Sequence, residues 1–103
     1  MNNNKNFYIN GEWVNPVSPK TLNVINPANE EIISEISLGS EEDVNKAVAA
    51  AKKAFLTFSL TSREERLELF EKIMDVYKKR MPDLAKAITN EMGAPVNLAN
   101  NAQ

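Results

Sequence analysis

Along the chain the apolar positions change their period once. Up to about residue 39 they alternate, or bunch in twos and threes between turn residues; beyond it they recur every three or four positions. Phe7-Tyr8-Ile9 and Trp13-Val14 flank Asn10-Gly11. That pattern predicts a hairpin closed by a type I′ turn, because Asn and Gly tolerate the positive φ angles such a turn needs. Pro16-Val17-Ser18-Pro19 is a break. Thr21 to Ile25 alternates and carries β-branched residues, so it reads as a strand. Asn26-Pro27-Ala28-Asn29-Glu30 reads as a turn, Glu31 to Leu38 as another strand, and Gly39 as its end. Residues 1–39 are therefore expected to form a β-meander of about four short strands.

The helical period starts at Ser40. Ser40-Glu41-Glu42-Asp43 supplies an N-cap followed by acids that suit the positive end of a helix dipole. Val44, Ala47, Val48, Ala51, Phe55 and Phe58 fall on one face. Ser62-Arg63-Glu64-Glu65 has the spacing of a capping box, with Ser62 and Glu65 serving each other's backbone. Leu67, Phe70, Ile73, Met74, Tyr77 and Met81 make a second stripe. Pro82 is expected to stop that helix and to open another. Leu84, Ala87, Ile88 and Met92 make the third stripe, and Gly93 is a good terminating residue. Residues 40–93 are thus the helical part. Pro95 then suits the first turn of one more helix, so 94–103 is expected to be the start of a truncated one. The fold class that follows is α+β: an N-terminal β-meander followed by three amphipathic helices.

Composition narrows the chemistry mainly by what it lacks. At 103 residues the chain is one domain at most. Hydrophobic residues at 43% and charged residues at 25% are those of an ordinary folded protein. A net charge of -2 argues against a general nucleic-acid binder. No run of about 18 apolar residues is available to span a membrane, and Met1-Asn2-Asn3-Asn4-Lys5 lacks the apolar stretch of a secretory signal. A cytoplasmic location is expected. There is no Cys and no His, which removes thiolate nucleophiles, disulfides, histidine bases and the usual zinc sites. The glycines, Gly11, Gly39 and Gly93, are too far apart to cradle a phosphate.

The remaining candidates have structural readings. Glu41-Glu42-Asp43 and Glu64-Glu65 sit where helices start, so capping explains them better than acid–base work. Lys78-Lys79-Arg80 could meet a phosphate, but a short basic cluster in an acidic chain more often forms a solvated face. Tyr8 and Trp13 could stack on a base or sugar, but a hairpin aromatic more often packs against a neighbouring helix. Met74, Met81 and Met92 read as core filler.

Taken together, "YINGEWV", "VINPANEEIISEISLGSEEDVNKAVAAAKKAF", "TSREERLELFEKI" and "LAKAITNEMGAP", in this order and spacing, resemble the N-terminal region of the NAD(P)-dependent aldehyde dehydrogenases. The resemblance covers practically the whole chain. It implies a part of the α/β aldehyde dehydrogenase fold, which has a Rossmann-like cofactor domain, a catalytic domain and an oligomerisation hairpin. It implies oxidation of aldehydes to carboxylic acids: a Cys thiolate attacks the carbonyl, hydride passes to the nicotinamide, and a Glu-activated water hydrolyses the thioester. The family's Cys, Glu, oxyanion-hole Asn and cofactor-binding Gly motif lie farther along its chain, so no catalytic or cofactor-binding residue carries over. NAD or NADP belongs to the full-length enzyme and not to this segment. The implied partners are the remainder of the dehydrogenase chain and further copies in a homo-oligomer, with no nucleic acid and no membrane.

One site carries over in part. Some family members hold a monovalent cation through backbone carbonyls before "NP" and a carboxylate before the helix-ending glycine, positions that match Val24, Ile25 and Glu91. Hard oxygen ligands suit an alkali cation. The resemblance also implies that the helices carrying Val44 to Phe58 and Leu67 to Met81 pack on the cofactor-domain sheet, so that some of Phe55, Phe58, Leu67, Phe70, Ile73 and Tyr77 are expected to be uncovered here. Two other readings compete. One is a stand-alone helical interaction module using Phe55, Phe58 and Phe70. The other is a three-helix DNA binder, which needs a basic recognition helix and is disfavoured by one Lys against Asp83 and Glu91 in the Leu84 to Met92 segment.

Overall fold

The computed structural model describes residues 3–101. Its elements run β1 (Phe7–Ile9), β2 (Glu12–Val14), β3 (Thr21–Ile25), β4 (Ile32–Ser37), α1 (Glu41–Phe58), α2 (Arg63–Met92) and α3 (Val96–Asn101). The class is α+β, as expected. The four strands, however, make two separate two-stranded sheets, β1 with β2 and β3 with β4, and not one continuous meander. The prolines at 16 and 19 lie between the pairs, and proline cannot donate to a ladder. The chain folds into two compact units. One takes the residues up to Val24 together with Ser34–Leu60; the other takes Ile25–Ile33 and the residues from Thr61 onward.

In the first unit, β1 and β2 are antiparallel in the register Phe7↔Val14, Tyr8↔Trp13, Ile9↔Glu12. Asn10 at φ 56° and Gly11 at φ 81° close the pair, both in the left-handed region that a type I′ turn requires. Tyr8 and Trp13 meet edge to face across the strands, with ring centroids 5.2 Å apart. The hairpin lies beside α1, with a cavity of about 360 Å³ between Tyr8 to Gly11 and the stripe Ala47, Ala50, Ala51 and Ala54. Small residues at that spacing let the hairpin approach the helix. They also leave the neighbouring stripe open: Val44, Val48 and Phe55 are exposed, Phe55 by 66%.

In the second unit, α2 runs unbroken for 30 residues with Pro82 inside it. The break expected at Pro82 does not occur, so the predicted second and third helices are one, and the third helix is the short α3. A proline in a helix interior costs roughly 3 kcal/mol and leaves the carbonyl four residues back without its usual donor. Strong helix formers on both sides, and packing of the C-terminal half against α3, outweigh that cost. Ala85 and Ala99, 7% and 3% exposed, are the small residues on which α2 and α3 close. The sequence expectations at Met1, Asn2, Ala102 and Gln103 fall outside the described residues.

Burial is sparse. Among the described residues only Ala85, Ala99 and Asp43 are buried, and no large side chain is fully enclosed. Phe55, Phe58, Leu67, Phe70, Ile73 and Tyr77 are all exposed, as expected. Among the described residues no helix is long and apolar enough to cross a membrane.

Candidate functional site

The paired carboxylates occupy helix starts, and the hydrogen bonds there are those of caps. Ser62 accepts at Oγ from the Glu65 backbone N–H at 3.1 Å, and Glu65 Oε2 accepts from the Ser62 N–H at 2.6 Å. The Ser62 backbone N–H first, and then the Ser62 hydroxyl, hold the Glu65 carboxyl below its ordinary range. The first helix repeats the device with Asp43 as the acid. Asp43 Oδ2 accepts from the Ser40 N–H at 3.0 Å and from Ser40 Oγ at 2.8 Å. Its other oxygen, Oδ1, accepts from the Val17 N–H at 3.1 Å. Asp43 therefore ties the stretch after the first hairpin to the start of α1. Its carboxyl is held below the ordinary 3.8, first by the Ser40 backbone and then, against the opposing effect of burial, by the Ser40 hydroxyl and the Val17 backbone. Sequence reading took Asp43 for a dipole acid and missed the link to Val17, for which no local pattern exists.

The other candidates are also accounted for. Arg80 of the basic cluster pairs with Asp83 at 3.5 Å on an exposed surface. Tyr8 and Trp13 pair with each other. Met74 and Met92 are exposed rather than core, Met92 by 72%. Among the described residues no group of three or more His, Cys, Asp or Glu could hold a metal ion.

The candidate cation residues lie at two element ends. Val24 and Ile25 end β3, and Glu91 lies in the last turn of α2 with an exposed carboxylate. The turn after Ile25 is tightly organised. Asn26 Oδ1 accepts from the Ala28 N–H at 2.9 Å, the Asn26 carbonyl accepts from the Glu30 N–H at 2.8 Å, and Glu30 takes a φ of 60°. Pro27 of that turn packs against Gly93, two residues past Glu91: a Cβ on Gly93 would stand 3.0 Å from Pro27 Cγ. Gly93 is also left-handed, at φ 70°, and its N–H donates to the Thr89 carbonyl. Glycine is thus needed there for close approach as well as for conformation. This contact brings the segment after Ile25 beside the segment after Glu91.

A concavity belongs to α2 itself. Ile73, Val76, Tyr77, Arg80, Leu84 and Ala87 line a groove of about 650 Å³. At 100° per residue these positions lie opposite Pro82, the face that turns concave when a helix bends away from a proline. The groove is mostly apolar, with Lys72, Arg80 and Asp83 also on its lining, and has the character of a packing surface.

Among the described residues the candidate groups serve caps, turns and packing, and comparison with known proteins places the chain in a family. The aldehyde dehydrogenase family profile matches residues 13–102. The chain is 48% identical over 96 residues to a 3-succinoylsemialdehyde-pyridine dehydrogenase of a Pseudomonas species, covering 93% of this chain and 20% of that one. Its fold is similar to that of an aldehyde dehydrogenase from Bartonella henselae, with a TM-score of 0.95 and 53% identity, over 99% of this chain and 21% of the other. Aldehyde dehydrogenase C of Pseudomonas syringae, solved as a mutant with NAD+ and octanal, is similar at a TM-score of 0.94 and 41% identity, over 96% of this chain and 20% of that one. The chain spans about a fifth of the length of the curated relatives it matches, 21% in the first of them. A match of this extent, in sequence and in fold, means that the chain belongs to the aldehyde dehydrogenase family.

Proposed function

We propose that this chain is the N-terminal structural segment of an NAD(P)-dependent aldehyde dehydrogenase that oxidises aldehydes to carboxylic acids in the cytoplasm. One observation carries the reading: the polar ends of α1 and α2 are satisfied while their apolar faces are open. Burying one large apolar side chain contributes about 1.5–3 kcal/mol, so faces of this size are surfaces awaiting cover. The cover is the remainder of the dehydrogenase chain, assembled as a homo-oligomer. The NAD+ in a similar structure supports the cofactor class. The residues here do not fit that cofactor, because the chain has neither a glycine-rich cradle nor a thiol, and the chemistry belongs to the rest of the enzyme. Val24 and Ile25, through their carbonyls, and Glu91, through its carboxylate, are proposed as ligands of a monovalent cation that steadies the turn and helix end joined at Pro27 and Gly93.

An absorbance assay at the NADH band, over a panel of aldehydes, tests the reading. The chain alone is expected to give no turnover. The chain joined to the remaining part of a family enzyme is expected to give aldehyde-dependent NAD(P) reduction. Turnover by the chain alone above a heat-killed control overturns the proposal.

A further inference from the structure

We propose that Asn10 is a site of spontaneous deamidation, in which the Gly11 backbone nitrogen closes a succinimide on the Asn10 side chain. The hairpin turn carries this independently of any enzymatic role. The Gly11 nitrogen, on losing its proton, attacks Cγ of Asn10. A C–N bond forms, the bond to the side-chain amide nitrogen breaks, and ammonia leaves with the proton. Water then opens the imide at either carbonyl, giving an aspartyl or an isoaspartyl linkage at position 10. The sequence is redox-neutral and consumes one water.

Three observations single out this asparagine. Both turn residues are exposed, and nothing lies within 4 Å of where a Gly11 Cβ would stand, so neither side chain nor packing hinders ring closure. Among the described residues, no hydrogen bond holds the Asn10 carboxamide or the Gly11 amide. The strands on either side are three residues each, and an isolated two-stranded pair is marginal, so the turn opens at small free-energy cost. Several other asparagines are held or blocked. Asn6 donates to the Val14 carbonyl and to Asn15. Asn26 accepts from the Ala28 N–H and Asn29 from the Glu31 N–H. Asn15 and Asn26 precede prolines, which have no N–H to attack with. An isoaspartyl linkage adds a backbone carbon to the turn and shifts the register that sets Tyr8 on Trp13.

The test is peptide mapping after incubation in mildly alkaline buffer. Trypsin releases the peptide between Lys5 and Lys20, which holds Asn6, Asn10 and Asn15. Fragmentation is expected to locate the amide-to-acid mass gain at Asn10, in both linkages, before any at Asn6 or Asn15. The fluorescence of Trp13, the chain's single tryptophan, should change over the same time course. Gly11→Ala should slow the conversion, because a methyl group hinders closure. Conversion at Asn6 as fast as at Asn10, or an unchanged rate in Gly11→Ala, overturns the proposal.

Discussion

The two compact units are held by different physics. In the first, polar links span the sequence: Asp43 receives the Val17 N–H from 26 residues away and closes the cap of α1 with Ser40, and Ser37 Oγ donates to the Lys5 carbonyl, while the hairpin lies on the Ala stripe of α1. In the second, small groups are buried where α2 meets α3, Ala85 on one helix and Ala99 on the other, and Gly93 closely approaches Pro27. The first unit should therefore respond to protonation of Asp43, whose bonds reach across the sequence, and the second mainly to size, its depressed acid Glu65 being confined to an exposed local cap. Among the described residues neither encloses a large apolar side chain, so these fastenings do work that a core does in a closed domain.

The largest effect is expected where size and backbone coincide. Gly93→Val must hold φ near 70° and push a branched side chain into Pro27. A left-handed residue costs about 1–2 kcal/mol and overpacking about 1–3 kcal/mol. Loss of helical far-UV signal at lower denaturant measures it, and an unchanged midpoint would mean that Pro27 does not confine Gly93. Next comes protonation of the first unit. The Asp43 carboxyl is held below its ordinary 3.8. A depressed acid contributes stability that is full above its unfolded value and is lost as pH falls through the folded one. Acid titration should loosen the first unit below the ordinary carboxylate range, and Asp43→Asn should flatten that response. Glu35, lowered by its bond to Lys5 and then Thr21, titrates in the same unit, but that pair is exposed and such pairs are worth little. Ser62→Ala, at the exposed local cap of α2, should cost about 1 kcal/mol, and an equal loss in the first unit's acid response would contradict the division. The smallest effect is expected from Glu91→Gln in a complete family chain: the fold persists, and any potassium or sodium dependence of the melting temperature weakens. A parental response to potassium removes Glu91 from the ligand set.

What could be read from the sequence was what neighbouring residues decide. Asn10-Gly11 dictates its turn because the positive φ angles are a local demand. Ser62 and Glu65 serve each other across three positions. Pro82 was misread because the local rule, that proline ends a helix, is outweighed by the propensity of the long segment around it and by packing with α3. The second reason for glycine at 93, and the second partner of Asp43, depend on residues far apart in sequence. The Ala47, Ala50, Ala51 and Ala54 stripe was legible as helical but not as the surface that takes the hairpin. Of the proposed cation residues, resemblance alone supplied the identities, since backbone carbonyls leave no mark in a sequence.

The central claim is that the apolar faces of α1 and α2 are surfaces for the rest of a dehydrogenase. Sedimentation velocity, a thermal melt and binding of an apolar dye, on one sample of this chain, test it most directly. The account predicts a helical far-UV signal, dye binding, self-association that rises with concentration, and no sharp melt. A strict monomer at high concentration, with a cooperative melt and no dye binding, would contradict it, because such a chain would close its own core.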